Sequence, residues 1–208
     1  MLSTQASCNH FIFHFRAGRN SRLRWRRNAP INPVVADAQD PALVARTLAG
    51  DDAAFDELLA RYRKPVLNFA YRLLGDATEA EDVAQDAFVR AYRHLADYHP
   101  RRQFSTWLFA IARHAAIDRL RYRQRHPTAP LAAAPEPAAS PRYDDLGEHI
   151  AAAIAGLPED QRTAIVLAEY HGLSHAEIAG VMDCTEKSVE SRLYRARAAL
   201  REKLRGFL

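Results

Sequence analysis

The chain has 208 residues, 48% hydrophobic and 26% charged, with a formal net charge of +4 and a pI near 9.3. That length suits one or two domains with a real core, no run of about 18 apolar residues exists to span a membrane, and two cysteines, Cys8 and Cys184, are too few for a disulfide framework or a four-cysteine zinc site. The basic balance is uneven: residues 1–36 hold Arg16, Arg19, Arg22, Arg24, Arg26 and Arg27 and no acid, which leaves a net −2 on the remainder, so the pI alone does not license nucleic-acid binding.

In chain order, segment 1–36 alternates Phe11, Phe13 and Phe15 and then turns arginine-rich. A secretory signal would need its charge before a longer apolar stretch. The segment is expected to be a disordered basic tail, with an organellar transit peptide as the weaker alternative. From 37 onward two helical blocks flank a spacer. Residues 124–142 hold five prolines and six alanines without apolar periodicity, the composition of an extended linker. Both blocks show apolar residues at helical spacing and no alternating β-branched runs. The expected fold is therefore all-α: two small helical domains, 37–123 and 143–208, on a flexible linker.

The first block predicts four helices. Pro41–Ala49 closes at Gly50; the next is capped by Asp51 or Asp52 and ends at Gly75, with Pro65 predicted to kink it. A third opens at Asp76 or Thr78 and runs to about Leu95, and after the loop 96–103 a fourth spans Phe104 to about Arg123. The second block predicts four more: 144–155; one with Pro158 in its first turn, running to Tyr170; Ser174–Met182, capped by Ser174; and a long final helix capped by Thr185 and ending near Leu204.

The last two helices form a helix-turn-helix pattern. Ile178, Ala179 and Met182 face Val189 and Leu193, and Asp183 falls at the tight turn, where aspartate tolerates left-handed backbone. The second helix of such a pair lies in the major groove. An ordinary helical hairpin with a solvated basic face is the plainer alternative, and charge argues against it. Residues 187–205 carry seven basic groups against two acids, net +5, whereas 144–186 carry nine acids against Arg162, net −8. Positive charge is thus confined to the helix that would approach phosphate.

The first block splits similarly. Asp82, Gln85 and Asp86 share one face of the third helix, continued by Val89 and Arg93, while Ala80, Ala84, Ala87, Phe88, Ala91 and Leu95 form its core side. From spacing alone the acidic face reads as solvated surface. Residues 101–125 hold seven arginines against Asp118, net +6, interleaved with Phe104, Trp107, Phe109 and Tyr122. Aromatics among arginines suit single-stranded nucleic acid, with at least one of Trp107 and Phe109 expected in the core.

Four segments carry a resemblance: Gly50-Asp-Asp-Ala-Ala-Phe-Asp-Glu-Leu-Leu-Ala-Arg-Tyr62, Ala80-Glu-Asp-Val-Ala-Gln-Asp-Ala-Phe-Val-Arg-Ala-Tyr92, Phe104-Ser-Thr-Trp-Leu108 with Ile111-Ala-Arg113, and Leu157-Pro158 with the helix-turn-helix. Over about residues 41–205 the chain resembles the extracytoplasmic-function (ECF) group of bacterial sigma-70 factors. The resemblance implies that the first block (sigma-2) docks on the clamp helices of core RNA polymerase through Asp82, Gln85 and Asp86. It further implies that Arg101, Arg102, Trp107, Arg113, His114 and Arg121 meet the minus-ten element and the melted non-template strand. The second block (sigma-4) would read the double-stranded minus-35 element through Lys187, Ser188, Glu190, Ser191, Tyr194 and Arg195, and touch the polymerase flap. An anti-sigma factor is the implied regulator. The resemblance implies a cytoplasmic protein that is not an enzyme and has no cofactor, catalytic residue, metal or small-molecule substrate.

Three departures stand out. The loop Tyr98-His-Pro-Arg-Arg-Gln103 lacks a glycine common in relatives, His114 replaces a frequent asparagine, and Glu190 sits where many relatives carry lysine or arginine. A carboxylate accepts from cytosine N4 but cannot bond guanine O6 and N7, so a shifted minus-35 preference is expected. The competing function is a stand-alone helix-turn-helix regulator, which leaves the Asp82–Gln85–Asp86 face without a role. His171 and His175, separated by Gly172, read as surface histidines. Cys184 reads as a small apolar residue.

Overall fold

A computed structural model of the chain describes residues 37–126 and 145–207. The expectations for segment 1–36, including Cys8, and for most of the proline-rich linker fall outside them. The described residues form helices and no strands: α1 Asp40–Leu48, α2 Asp52–Leu74, α3 Ala77–Arg93, α4 Phe104–Arg125, α5 Asp145–Ala155, α6 Glu159–Glu169, α7 His175–Met182 and α8 Glu186–Lys203. Short 3-10 turns lie at Leu95–Asp97 and Arg205–Phe207. No helix among them is long and apolar enough to cross a membrane.

Local chemistry explains most helix ends. The Asp76 carboxylate accepts from Glu79 N at 2.9 Å and starts α3. Ser174 and Glu177 form a reciprocal capping box on α7, and Thr185 Oγ1 accepts from Ser188 N at the head of α8. Gly75, at φ 74°, ends α2 in the left-handed region that only glycine enters freely. Two details differ from the pattern reading. Asp51 stands at the N-cap of α2 without a side-chain cap bond, because its carboxylate is taken by Arg46 at 2.6 Å. Pro158 is the N-cap of α6 rather than its first helical residue. Helix α2 runs through Pro65 as one helix, and α4 continues two residues into the stretch expected as linker.

In the first block α2 packs against α1, α3 and α4. Leu58, Tyr62, Val66, Phe69 and Ala70 meet Ala80, Ala84, Ala87, Phe88 and Ala91 of α3 and Phe104, Leu108 and Phe109 of α4. Burying each such large side chain contributes about 1.5–3 kcal/mol. One buried carboxylate ties α1 down: Asp40 accepts from Tyr62 Oη and from Arg61. In the second block α6 and α7 pack on α8, with Ile165, Leu167, Ile178, Val189 and Leu193 fully buried.

The two blocks are docked on one another, and their cores form one continuous apolar cluster. Helix α4 packs on α7, and α2 on α5 and α6. This corrects the reading of His171 as a surface residue. It is 1% exposed, its ring 6.0 Å from that of Phe69 and 5.1 Å from that of Phe109. Arg162 crosses the junction, donating to Leu73 O at 2.8 Å, to Leu157 O at 3.1 Å and to Ala155 O.

Candidate functional site

Helix α3 presents its acidic face to solvent. Ala80, Val83, Ala84, Ala87 and Ala91 point inward, which forces Asp82 and Gln85 outward. Asp86 is half-buried and pairs with Arg90 one turn on at 2.7 Å. Val89 (41% exposed) and Tyr92 (49%) are large apolar groups left open to water on the same side. They border a groove of 730 Å³ between α2 and α3, whose apolar walls are Phe55, Leu59, Leu67 and Phe88, with Gln85 and Val89 at its lip. Sequence reasoning missed this groove. Its signal was a second apolar row on α2, Leu59 and Leu67 two turns apart, beside the core row that holds Leu58, Tyr62, Val66 and Phe69.

The arginine-aromatic stretch divides once its environment is visible. Phe104 and Phe109 are core. Trp107 is half-buried against the rings of Tyr98 and Phe104, both 5.6 Å away, so its remaining edge lies at the surface. Arg101, Arg102, His114 and Arg121 are exposed. The loop before α4 is braced from within: Tyr98 Oη donates to Arg102 O at 2.7 Å, and burial pushes the Tyr98 phenol up. Arg113 is different. It is half-buried at the block junction, where Nη2 donates to Asp160 Oδ1 at 3.3 Å. Arg119 and Arg123 both turn to Glu79 on α3, at 3.1 and 3.2 Å. Net charge along the stretch therefore overstates the cations it offers to a partner. At its end the exposed Tyr122 stacks on His126 at 4.3 Å.

The helix-turn-helix has the geometry its pattern predicts. Asp183 takes φ 49° and ψ 56°, the left-handed turn conformation. Ile178, Ala179, Met182, Val189 and Leu193 are buried between the helices. With Val189, Leu193 and Ala196 inward, Lys187, Glu190, Tyr194 and Arg195 stand out on α8, Tyr194 at 75% exposure. Ser191 is half-buried, and Ser188 is committed to the cap, its hydroxyl 2.9 Å from Thr185 Oγ1. Two basic residues counted in the charge of this helix are turned inward. Arg197 donates to Glu169 at 2.8 Å, and Arg192 donates to Asp160 Oδ2 at 2.9 Å and to Cys184 Sγ at 2.8 Å. Cys184 is half-buried and serves as an acceptor as well as packing against the core. Among the described residues no group of His, Cys, Asp and Glu could hold a metal ion.

Two family models match the chain, sigma-70 region 2 over residues 58–126 and sigma-70 region 4 over residues 148–200. The chain is 36% identical over 190 residues to the RNA polymerase sigma-H factor of Pseudomonas aeruginosa, covering 84% of this chain and 98% of that protein. It is 35% identical over 184 residues to the ECF RNA polymerase sigma-E factor of Escherichia coli K12, covering 81% and 96%. Two solved structures share the fold. CnrH, in complex with the cytosolic domain of CnrY, gives a TM-score of 0.64 at 33% identity over 80% of this chain and 97% of that one. RpoE of Bartonella quintana, in complex with the anti-sigma factor NepR, gives 0.60 at 26% over 73% and 96%. Regions 2 and 4 on two helical units define the class, an RNA polymerase sigma factor of the sigma-70 kind. Within that class the chain belongs to the extracytoplasmic-function group, which directs promoter-specific initiation.

Proposed function

We propose that the exposed face of α3 is the chain's grip on core RNA polymerase and that α4 and α8 are its two promoter readers. The observation that carries this assignment is the partition of exposed chemistry. Gln85 lines an open apolar groove and Asp82 stands exposed nearly one turn before it on α3, whereas the exposed face of α8 offers Lys187, Tyr194 and Arg195 together with Glu190. An apolar groove lined at its edge by Arg63, Glu81 and Arg93, with the Asp82 and Asp86 carboxylates beside it on α3, suits an amphipathic helical partner, here the clamp helices of the largest polymerase subunit. Asp82, Gln85 and Asp86 fix the register, and Val89 and Tyr92 supply apolar area.

The loop residues Arg101 and Arg102, with Trp107, His114 and Arg121, hold the minus-ten strand through stacking and phosphate contact. Arg113 joins them once released from Asp160. On α8, Lys187 and Arg195 meet phosphate, while Glu190, Ser191 and Tyr194 face base edges of the minus-35 element; Ser188 acts by capping the helix. Units 37–123 and 143–208 work as sigma-2 and sigma-4 domains, tethered so that weak contacts act together. On this reading the chain itself performs no chemistry, works in the cytoplasm and is regulated by an anti-sigma protein; the complex of RpoE with the anti-sigma factor NepR supports the last point.

Reconstitution with core polymerase on a promoter library tests the assignment. The chain directs specific start sites, and the triple variant Asp82→Lys, Gln85→Lys, Asp86→Lys loses holoenzyme assembly by tenfold or more while still binding a minus-35 duplex. Unchanged assembly by that variant refutes the docking face. A stand-alone regulator would give no specific transcription with core enzyme.

A further inference from the structure

The groove between α2 and α3 is apolar inside and polarised along its length. Phe55, Leu59, Leu67 and Phe88 wall it, and Val89 and Tyr92 stand open at its rim. Tyr92 closes one end: its ring lies 4.9 Å from that of Phe55, and its hydroxyl donates to Asp52 at 3.1 Å. Arg93 belongs to that end and Arg63 to the middle. The far end, beside Leu67, is acidic, with Glu81 on the wall and Asp82 next to it, both exposed.

One motif of the sequence has no part in reading a promoter or gripping polymerase. Phe11-Ile-Phe-His-Phe15 is followed by Arg16, Arg19 and four more arginines, and no acid precedes Asp37. The alternation of the three phenylalanines has no strand to pair with among the described residues, which are helical. Extended backbone would set the three rings on one side, about 7 Å apart and about 14 Å end to end. Phe55 and Leu67 are three turns apart on α2, about 18 Å at about 1.5 Å per residue, so a row of three rings fits the groove. The reach is ample. Asp37 is tied to Arg61 at 3.1 Å, on the side of α2 turned away from Leu59, about 20 Å around a helix about 12 Å across. The 21 residues from Arg16 to Ala36 span up to about 70 Å.

We propose that the chain's own segment 11–19 occupies the α2–α3 groove, with Phe11 toward Tyr92 and Arg16 and Arg19 against Glu81 and Asp82, and that it competes there with core polymerase. The competition rests on the assignment of this face to polymerase above; the docking does not. Direction follows from charge, because the arginines come after the phenylalanines and the open carboxylates lie at the Leu67 end. The choice of occupant follows from area and tether. Three phenylalanines offer about 450–750 Å², too little to hold two separate molecules together stably. A segment on the same chain meets the groove at an effective concentration of about 1 mM. With an affinity of its own of about 0.1 mM, it fills the groove about ten times as often as it leaves it, and lowers the apparent affinity for polymerase about tenfold.

Cys8, three residues before Phe11, provides the probe. A nitroxide on Cys8 of the full chain, in a Cys184→Ser background, is expected to broaden the amide signals of Val89 and Tyr92 most, those of Glu81 less, and those of α7 not at all. The triple variant Phe11→Ser, Phe13→Ser, Phe15→Ser should abolish the broadening, and because these positions lie outside the packed helices it leaves the folded units intact. It should also bind core polymerase about tenfold more tightly than the parent chain. Absence of broadening at the groove overturns the docking, whatever polymerase does. Broadening seen only when a labelled chain is mixed with an isotope-enriched unlabelled one assigns the groove to a second copy and overturns the intramolecular reading. Broadening strongest at Glu81 overturns the direction. If the segment docks but the triple variant binds polymerase no more tightly, the competition is overturned, and the placing of polymerase on this groove fails while the docked segment stands. Arg16→Glu with Arg19→Glu reads the charge contribution: several-fold weaker broadening supports the pairing with Glu81 and Asp82, and no change removes it.

Discussion

Glu190 offers a direct test of base reading by α8, because its replacement separates specificity from fold and from bulk charge. It is exposed in the second turn of the helix, on the face shared by Lys187, Ser191 and Tyr194, while its neighbour Val189 is fully buried. Substitution at such a surface position changes stability by no more than about 0.5 kcal/mol. In Glu190→Arg the new guanidinium stands four residues after Glu186, a pairing that adds a few tenths of a kcal/mol at most. The melting temperature should therefore stay put. A carboxylate in the major groove selects cytosine through its N4 donor, and arginine selects guanine through O6 and N7, each discrimination being about 1–3 kcal/mol. That range converts to about 5- to 150-fold in relative affinity at one base pair. The charge change also strengthens binding to every sequence, by a term that steepens the salt dependence by about 0.9 per extra phosphate contact. Binding selection on randomised minus-35 duplexes at two salt concentrations resolves the two effects: overall affinity falls with salt, and the base preference at one position persists. Glu190→Gln serves as the neutral control and should favour adenine at that position. Identical base preference for wild type and Glu190→Arg, at both salt concentrations, refutes the assignment of Glu190 to a base edge.

Two further outcomes concern the scaffold. Burial and the Asp40 carboxylate push the Tyr62 phenol far above its usual range, and burial does the same to Tyr170. The folded chain keeps these protons after the unfolded chain has lost them, so their contribution is complete below about pH 10 and declines as pH rises further, by up to about 1.4 kcal/mol per pH unit for each tyrosine. Urea unfolding from pH 8 to 11.5 should show that decline, and Tyr62→Phe should flatten it; equal slopes for the two proteins would contradict the buried phenol–carboxylate pair. Asp183 holds a left-handed backbone that glycine adopts without steric conflict. Asp183→Gly should stabilise the second unit by about 0.5–1 kcal/mol while leaving minus-35 binding unchanged, and calorimetry showing destabilisation would contradict the strain at this turn.

Much of the molecule was legible in its amino acids because its determinants act over three or four residues. Asp76 before Glu79, Ser174 before Glu177 and Thr185 before Ser188 each mark a helix start, since a short polar side chain satisfies a backbone N–H one turn ahead. Apolar spacing fixed which side of α3 and α8 faces inward, and so which residues remain to meet a partner. The left-handed turn at Asp183 follows from the same local logic.

The tertiary structure alone decided which charges are available and how the two units meet. Arg113, Arg162, Arg192 and Arg197 look like surface cations in sequence, yet each bonds an acid or a carbonyl on another helix. Arg113 and Asp160 are 47 residues apart, and Arg162 and Leu73 are 89 apart. His171 looked exposed beside Gly172, yet it fills the junction between Phe69 and Phe109. Periodicity assigns a residue to a face of its own helix. Which neighbour covers that face depends on how distant segments pack, and no local spacing carries that information.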